Sequence, residues 1–127
     1  MSHIVVLEPN VRLAQTYSQA LEAWGYSVAV CHSAQGAVSA ADTHTPDLVM
    51  LELQLVAHSG IEFLYEFRSY YDWRQIPAMV VSNVPPGEFA DSQQLLSRHL
   101  GVRAYHYKPR TSLQVLHHSL ENILQPA

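Results

Sequence analysis

The sequence predicts an open α/β domain: a doubly wound parallel sheet with helices on both faces. Two observations carry this. Short apolar, β-branched runs alternate with stretches of helical periodicity, βα five times over 127 residues. Each return to the next run is also long enough for a helical crossover, which parallel strands require. In such sheets the functional crevice lies beyond the carboxyl ends of the strands.

The elements follow in order. "HIVVL" (3–7) is continuous and β-branched, like a strand buried on both faces. From 11 to 24, Leu13, Tyr17, Ala20, Leu21 and Trp24 recur at helical spacing, and Gly25 is a natural stop. "YSVAVC" (26–31) is the second strand. Ser33 is placed to cap a small, alanine-rich helix from 34 to about 41. "DLVMLEL" (47–53) is the third and most apolar strand. A helix is expected over 60–70, with Ile61, Phe63, Leu64 and Phe67 available for burial. "IPAMVVSN" (76–83) is the fourth strand, followed by a helix over 88–100 that ends at Gly101. "VRAYHY" (102–107) is the fifth. The closing helix, 111–124, turns Leu113, Leu116, Leu120, Ile123 and Leu124 inward.

Composition narrows the function. No apolar run approaches the roughly 20 residues needed to cross a membrane, and the first residues lack the basic region and cleavage site of a signal peptide. Cys31 is the only cysteine, so a reducing cytoplasm is the expected compartment. The formal charge of −4, with no basic stripe, argues against nucleic-acid binding by this domain. The chain contains a single lysine, Lys108.

That lysine stands at a strand end, and so do other polar groups. Glu8, Pro9 and Asn10 follow the first strand, Glu52 ends the third, Ser82 and Asn83 follow the fourth, and Tyr107, Lys108 and Pro109 close the fifth. Each alone is explained as a solvated cap. Four at the matching ends of four strands point to a site. A carboxylate at a buried edge needs a partner, and Lys108 is the natural one for Glu52.

These segments resemble the receiver domain of two-component response regulators over nearly the whole chain. "PDLVMLELQLVAHSG" resembles the signature around the phosphoacceptor, with Glu52 where the family usually has aspartate. "IPAMVVSN" places Ser82 at the family's hydroxyl position. "GVRAYHYKP" places Tyr105 at the switch aromatic and Lys108-Pro109 at the invariant pair. The resemblance implies a flavodoxin-like (βα)5 sheet in the order 2-1-3-4-5, a single receiver domain over 1–127 (complete, or a fragment of a longer regulator), a cis peptide bond candidate at Pro109, and a role in signal transduction rather than as an enzyme. Its implied partners are a histidine kinase or an output domain, met through the face of the fourth helix, fifth strand and fifth helix.

The departures from the pattern matter most. Receivers hold Mg²⁺ with an acidic pair after the first strand, the phosphoacceptor and a backbone carbonyl. Here the pair reads Glu8-Pro9, so only Glu8, Glu52 and the Gln54 carbonyl remain as ligands, and any Mg²⁺ site is expected to be weak. Glu52 reaches one methylene further than aspartate and is expected to miss the in-line geometry of phosphoryl transfer. A permanent charge there would imitate the phosphorylated state with one charge instead of about two, or abolish switching. The expectation is an atypical, phosphorylation-independent receiver without cofactor. The alternative is a metal-dependent phosphoacceptor. Asn83 after Ser82 and the longer loop with Pro85, Pro86 and Gly87 suggest altered access and a stiffer segment, with loop drift as the competing explanation. Arg103 and Ala104 replace the acidic residues that support a symmetric dimer in many relatives, which leaves another homodimer open.

Other features weigh less. Eight histidines are scattered and show no metal-ligand spacing, although His58 follows the third strand near the pocket. The aromatic run "FLYEFRSYYDW" (63–73) fits one core face plus an amphipathic rim, with partner contact as the second explanation. A cofactor-binding flavodoxin-like protein would need a phosphate loop that "EPNVRLA" does not supply. A strand-one nucleophilic hydrolase would need an aspartate that Glu8-Pro9 lacks.

Overall fold

A computed structural model describes residues 1–124, apart from the side chain of Ala90. The strands are β1 (His3–Leu7), β2 (Ser27–Cys31), β3 (Leu48–Leu51), β4 (Ala78–Ser82) and β5 (Val102–Tyr107). They form one parallel sheet in the order β2-β1-β3-β4-β5, the expected arrangement.

Alternation along the strands divides the core between two faces. Ile4, Val6, Met50, Met79 and Val81 pack beneath α1 (Val11–Ala23) and the closing helix (Leu113–Leu124). Val5, Leu7, Val49, Leu51 and Val80 pack beneath α2 (Ala34–Thr43) and α3 (Gly60–Ser69). Each early helix starts on a side-chain cap: Asn10 accepts from the Leu13 amide, Ser33 from Gly36 and Ser59 from Glu62. Gly25, at φ 95°, ends the run after α1 in a backbone region that favours glycine.

Several expectations need correction. β3 ends at Leu51, one residue before Glu52, because the chain turns there into a small antiparallel ribbon pairing Gln54–Leu55 with His58–Ser59. A 3-10 turn at Tyr71–Trp73 was not foreseen. The helix expected over 88–100 is not regular. It is a 3-10 segment, Pro86–Ser92, broken at Phe89 and followed by a π turn at Leu95–His99. Pro85 and Pro86 start the turn early, and the π turn absorbs surplus length so that Leu96 and Leu100 both reach the core. Leu113 is not inward but 40% exposed, since it opens the closing helix. Among the described residues, no helix is long and apolar enough to cross a membrane.

Candidate functional site

Register delivers the polar strand ends to one place. Leu7 pairs with Leu51 across β1 and β3, so Glu8 and Glu52 leave adjacent strands at the same level. Ser82 pairs with Tyr107 across β4 and β5, which sets Lys108 beside the fourth strand's end. Glu8 and Glu52 are each 3% exposed and Ser82 is fully buried.

The Lys108 ammonium closes the cluster. Its Nζ lies 2.7 Å from Glu8 Oε1 and 2.7 Å from Glu52 Oε1. Glu52 Oε2 accepts from the Ser82 hydroxyl, from the Leu53 amide at 2.6 Å and from the Gln54 amide at 3.0 Å. The Asn83 amide reaches Oε1 at 3.3 Å. Glu8 Oε2 accepts from the Asn10 amide at 3.0 Å. Burial, the largest influence, pushes the Glu52 carboxyl up. The hydrogen bonds from Lys108, Ser82 and Gln54, with the Lys108 charge, outweigh it and hold the carboxyl below its ordinary value.

The network continues outward. The Val84 amide donates to Ser82 Oγ at 3.0 Å, and the Tyr105 hydroxyl donates to the Val84 carbonyl at 2.6 Å. The Tyr105 ring meets Phe89 with centroids 6.1 Å apart. A path of hydrogen bonds thus runs from Glu52 through Ser82 and the Val84 backbone to Tyr105.

A polar cluster at aligned strand ends is shared by many α/β folds, so the family is decided by comparison. The family described as "Response regulator receiver domain" matches residues 4–118. The chain is a receiver domain. It is 28% identical over 109 residues to the KDP operon transcriptional regulatory protein KdpE of Escherichia coli K12, covering 86% of this chain and 45% of the relative. It is also 28% identical over 79 residues to the polar-differentiation response regulator DivK of Brucella ovis, covering 62% and 64%. The receiver therefore spans about half the length of the KdpE relative. Among solved structures, Vibrio cholerae chemotaxis protein CheY4 superimposes with a TM-score of 0.85 at 18% identity, covering 98% and 99% of the two chains. The non-phosphorylated HemR receiver domain of Leptospira biflexa gives 0.83 at 20% identity, covering 100% and 97%.

In this receiver, Glu8, Glu52, Ser82 and Lys108 come together, and Tyr105 joins through Val84. Lys108 was expected to meet Glu52; its equal contact with Glu8 was not foreseen. The cis bond at Pro109 is a correction. No cis peptide bond occurs among the described residues, and Lys108–Arg110 forms a trans 3-10 turn closed by the Thr111 amide on the Lys108 carbonyl. His58 lies outside the cluster, 3.8 Å from Glu62. Tyr17 was counted only as core. Burial pushes its phenol up to about 12, with the Glu8 and Glu52 charges adding to the effect. The signal was available: α1 begins three residues after Glu8, and Tyr17 falls on its second turn.

Proposed function

We propose that this receiver is a regulatory, protein-binding module that does not depend on phosphorylation. One observation carries the reading: a single built-in ammonium bridges both carboxylates, while the hydroxyl and aromatic at the switch positions are already tied to the site.

The donor set does not fit Mg²⁺. One oxygen of each glutamate is engaged by Lys108, the other accepts backbone or hydroxyl hydrogens, and Pro9 has no side-chain oxygen to add. A phosphoryl acceptor on Glu52 would need an oxygen free for in-line attack, and both are committed. The chain is accordingly not an enzyme in this reading, needs no cofactor, and works in the cytoplasm. The binding face is formed by the helical turns over 86–99, β5 and the closing helix. It includes a hollow of about 230 Å³ lined by Phe89, Leu96, Arg103 and Tyr105 among others. Its partner would be a kinase, an output domain or another signalling protein, and Arg103 favours an acidic contact.

The test is incubation with acetyl phosphate and Mg²⁺, read by intact mass. No acyl phosphate is expected on the native chain, and a stoichiometric, hydroxylamine-sensitive adduct on Glu52 would restore the metal-dependent alternative. Joint replacement Pro9→Asp and Glu52→Asp should make the adduct appear, because it returns the missing oxygen and the shorter reach.

A further inference from the structure

The carboxylate cluster lies at one end of the sheet. At the other end, where β1, β2 and β3 begin, a second polar group is buried. His3 opens β1, paired with Ser27 of β2, and is only 5% exposed. Its Nδ1 lies 2.8 Å from the Ser27 hydroxyl. Its Nε2 is buried and meets no hydrogen-bond partner among the described residues. The ring of His44, the residue that follows α2, stacks on it with centroids 3.8 Å apart and planes 11° from parallel. The backbone is fastened at the same point. The His3 amide donates to Asp47 Oδ2 at 2.7 Å, and the Asp47 amide donates to the His3 carbonyl at 2.7 Å. Three elements therefore meet at His3: β2 through Ser27, the end of α2 through His44, and the lead into β3 through Asp47.

This arrangement accepts a neutral ring and resists a charged one. A neutral imidazole has one N–H and one bare nitrogen, and the Ser27 hydroxyl can either accept or donate. An imidazolium carries an N–H on both nitrogens, so Nε2 would become a buried donor with nothing to receive it. A bare nitrogen there is a smaller loss than a buried, unanswered charge. A proton on each ring would also set two like charges face to face. Among the described residues, the titratable groups that act on the ring are His44 from the end of α2 and Asp47 from the lead into β3, while β2 offers only a hydroxyl. Burial, the largest influence, and then His44 push the His3 imidazole below its ordinary 6.5. The Asp47 carboxylate and the Ser27 contact act the other way without overcoming them.

We propose that the stacked His3–His44 pair is an acid-sensitive catch: its neutral form holds the start of β2 and the α2–β3 connection onto β1, and proton uptake by His3 releases them. The direction is fixed. An unfolded histidine titrates near 6.5 and the folded His3 below it, so the unfolded form takes up its proton first as pH falls. The catch is at full strength above 6.5 and weakens as pH drops below that value. This window lies above the one in which the Glu52 carboxyl, held below 4.5, titrates. The catch sits at the far end of β1 from Glu8, and it stands whether or not Glu52 accepts a phosphoryl group.

Two measurements on the full chain, between about pH 7.5 and 5.5, test the proposal. Carbon–proton NMR of the histidine rings follows each protonation. The His3 midpoint is expected below 6.5 and should rise in His44→Phe, which keeps a stacked ring and removes its charge. His44 is exposed, so this variant keeps the fold. Amide hydrogen exchange, corrected for the intrinsic effect of pH, reads the release. Protection over 27–31 and 44–49 should fall by at least about threefold across the range, while β4 and β5 change much less. The fall should be smaller in His44→Phe. It should be lost in His3→Asn, which keeps a polar group facing Ser27 but takes up no proton. If His3→Asn does not fold, His44→Phe decides alone. A His3 midpoint at or above 6.5, an undiminished fall in either variant, or a loss spread evenly over the sheet would each overturn the proposal.

Discussion

Glu52 has one methylene more than the aspartate usual at this place in receivers, and that length lets one carboxylate meet Lys108, Ser82 and two following amides. The cost of removing the cation follows. Lys108→Met leaves two carboxylates unpaired at 3% exposure and should lower stability by about 3–5 kcal/mol in urea unfolding, as expected when one partner of a buried pair is lost. Adding Glu52→Gln to that variant should recover part of the loss, because one orphan charge is removed. The pH dependence has a definite sign. A carboxyl held below its ordinary 4.5 in the fold stabilises above that value and loses the contribution as pH falls through the folded value. Melting curves of the native chain and Glu52→Gln should therefore converge as the solution is acidified below about 4.5. At this scale the sequence named four of the clustered residues. It did not reveal the second contact of Lys108, because the level at which two strands end depends on register.

Among the elements, the β3–α3 connection constrains the site most tightly. A methyl group on Gly60 would lie 2.7 Å from the Glu52 carbonyl oxygen and 2.8 Å from the Leu53 Cα, both backbone or backbone-bound atoms that cannot swing away. Gly60→Ala should thus cost about 1–3 kcal/mol in chemical denaturation and shift the Glu52, Leu53 and Gln54 amide resonances. Periodicity marked Gly60 only as a helix start, since close approach between segments leaves no trace in spacing. The helical turns over 86–99 show the complementary failure. Their apolar residues do sit at helical spacing, but Pro85, Pro86 and the break at Phe89 divide them. Short 3-10 and π turns hold fewer well-formed hydrogen bonds than an α-helix, so the amides over 86–99 should exchange with solvent well before those of β3 and β4.

For the whole molecule, alternation and crossover length were enough to predict the doubly wound sheet. The reason is physical: both faces must be covered, and strands as apolar as "HIVVL" and "LVML" fit no half-exposed position. Core substitutions should behave accordingly. Phe63→Ala, at a fully buried position, should cost about 3–5 kcal/mol, whereas Tyr65→Ala, on the exposed side of the same helix, should change little. What composition could not supply was the trans peptide at Pro109 and the ribbon at Gln54–Ser59. Both are settled by how the strand ends are closed off, not by local preference.

The Lys108 bridge also bears on the order of events in folding. It joins Lys108 to Glu52 across 56 residues of chain, and to Glu8 across still more, so it forms only after the fifth strand has docked. A contact absent from the barrier state acts on the unfolding rate and leaves refolding nearly untouched. Stopped-flow kinetics of Lys108→Met should show unfolding accelerated and refolding almost unchanged, a latch that sets the lifetime of the folded chain without helping to build it.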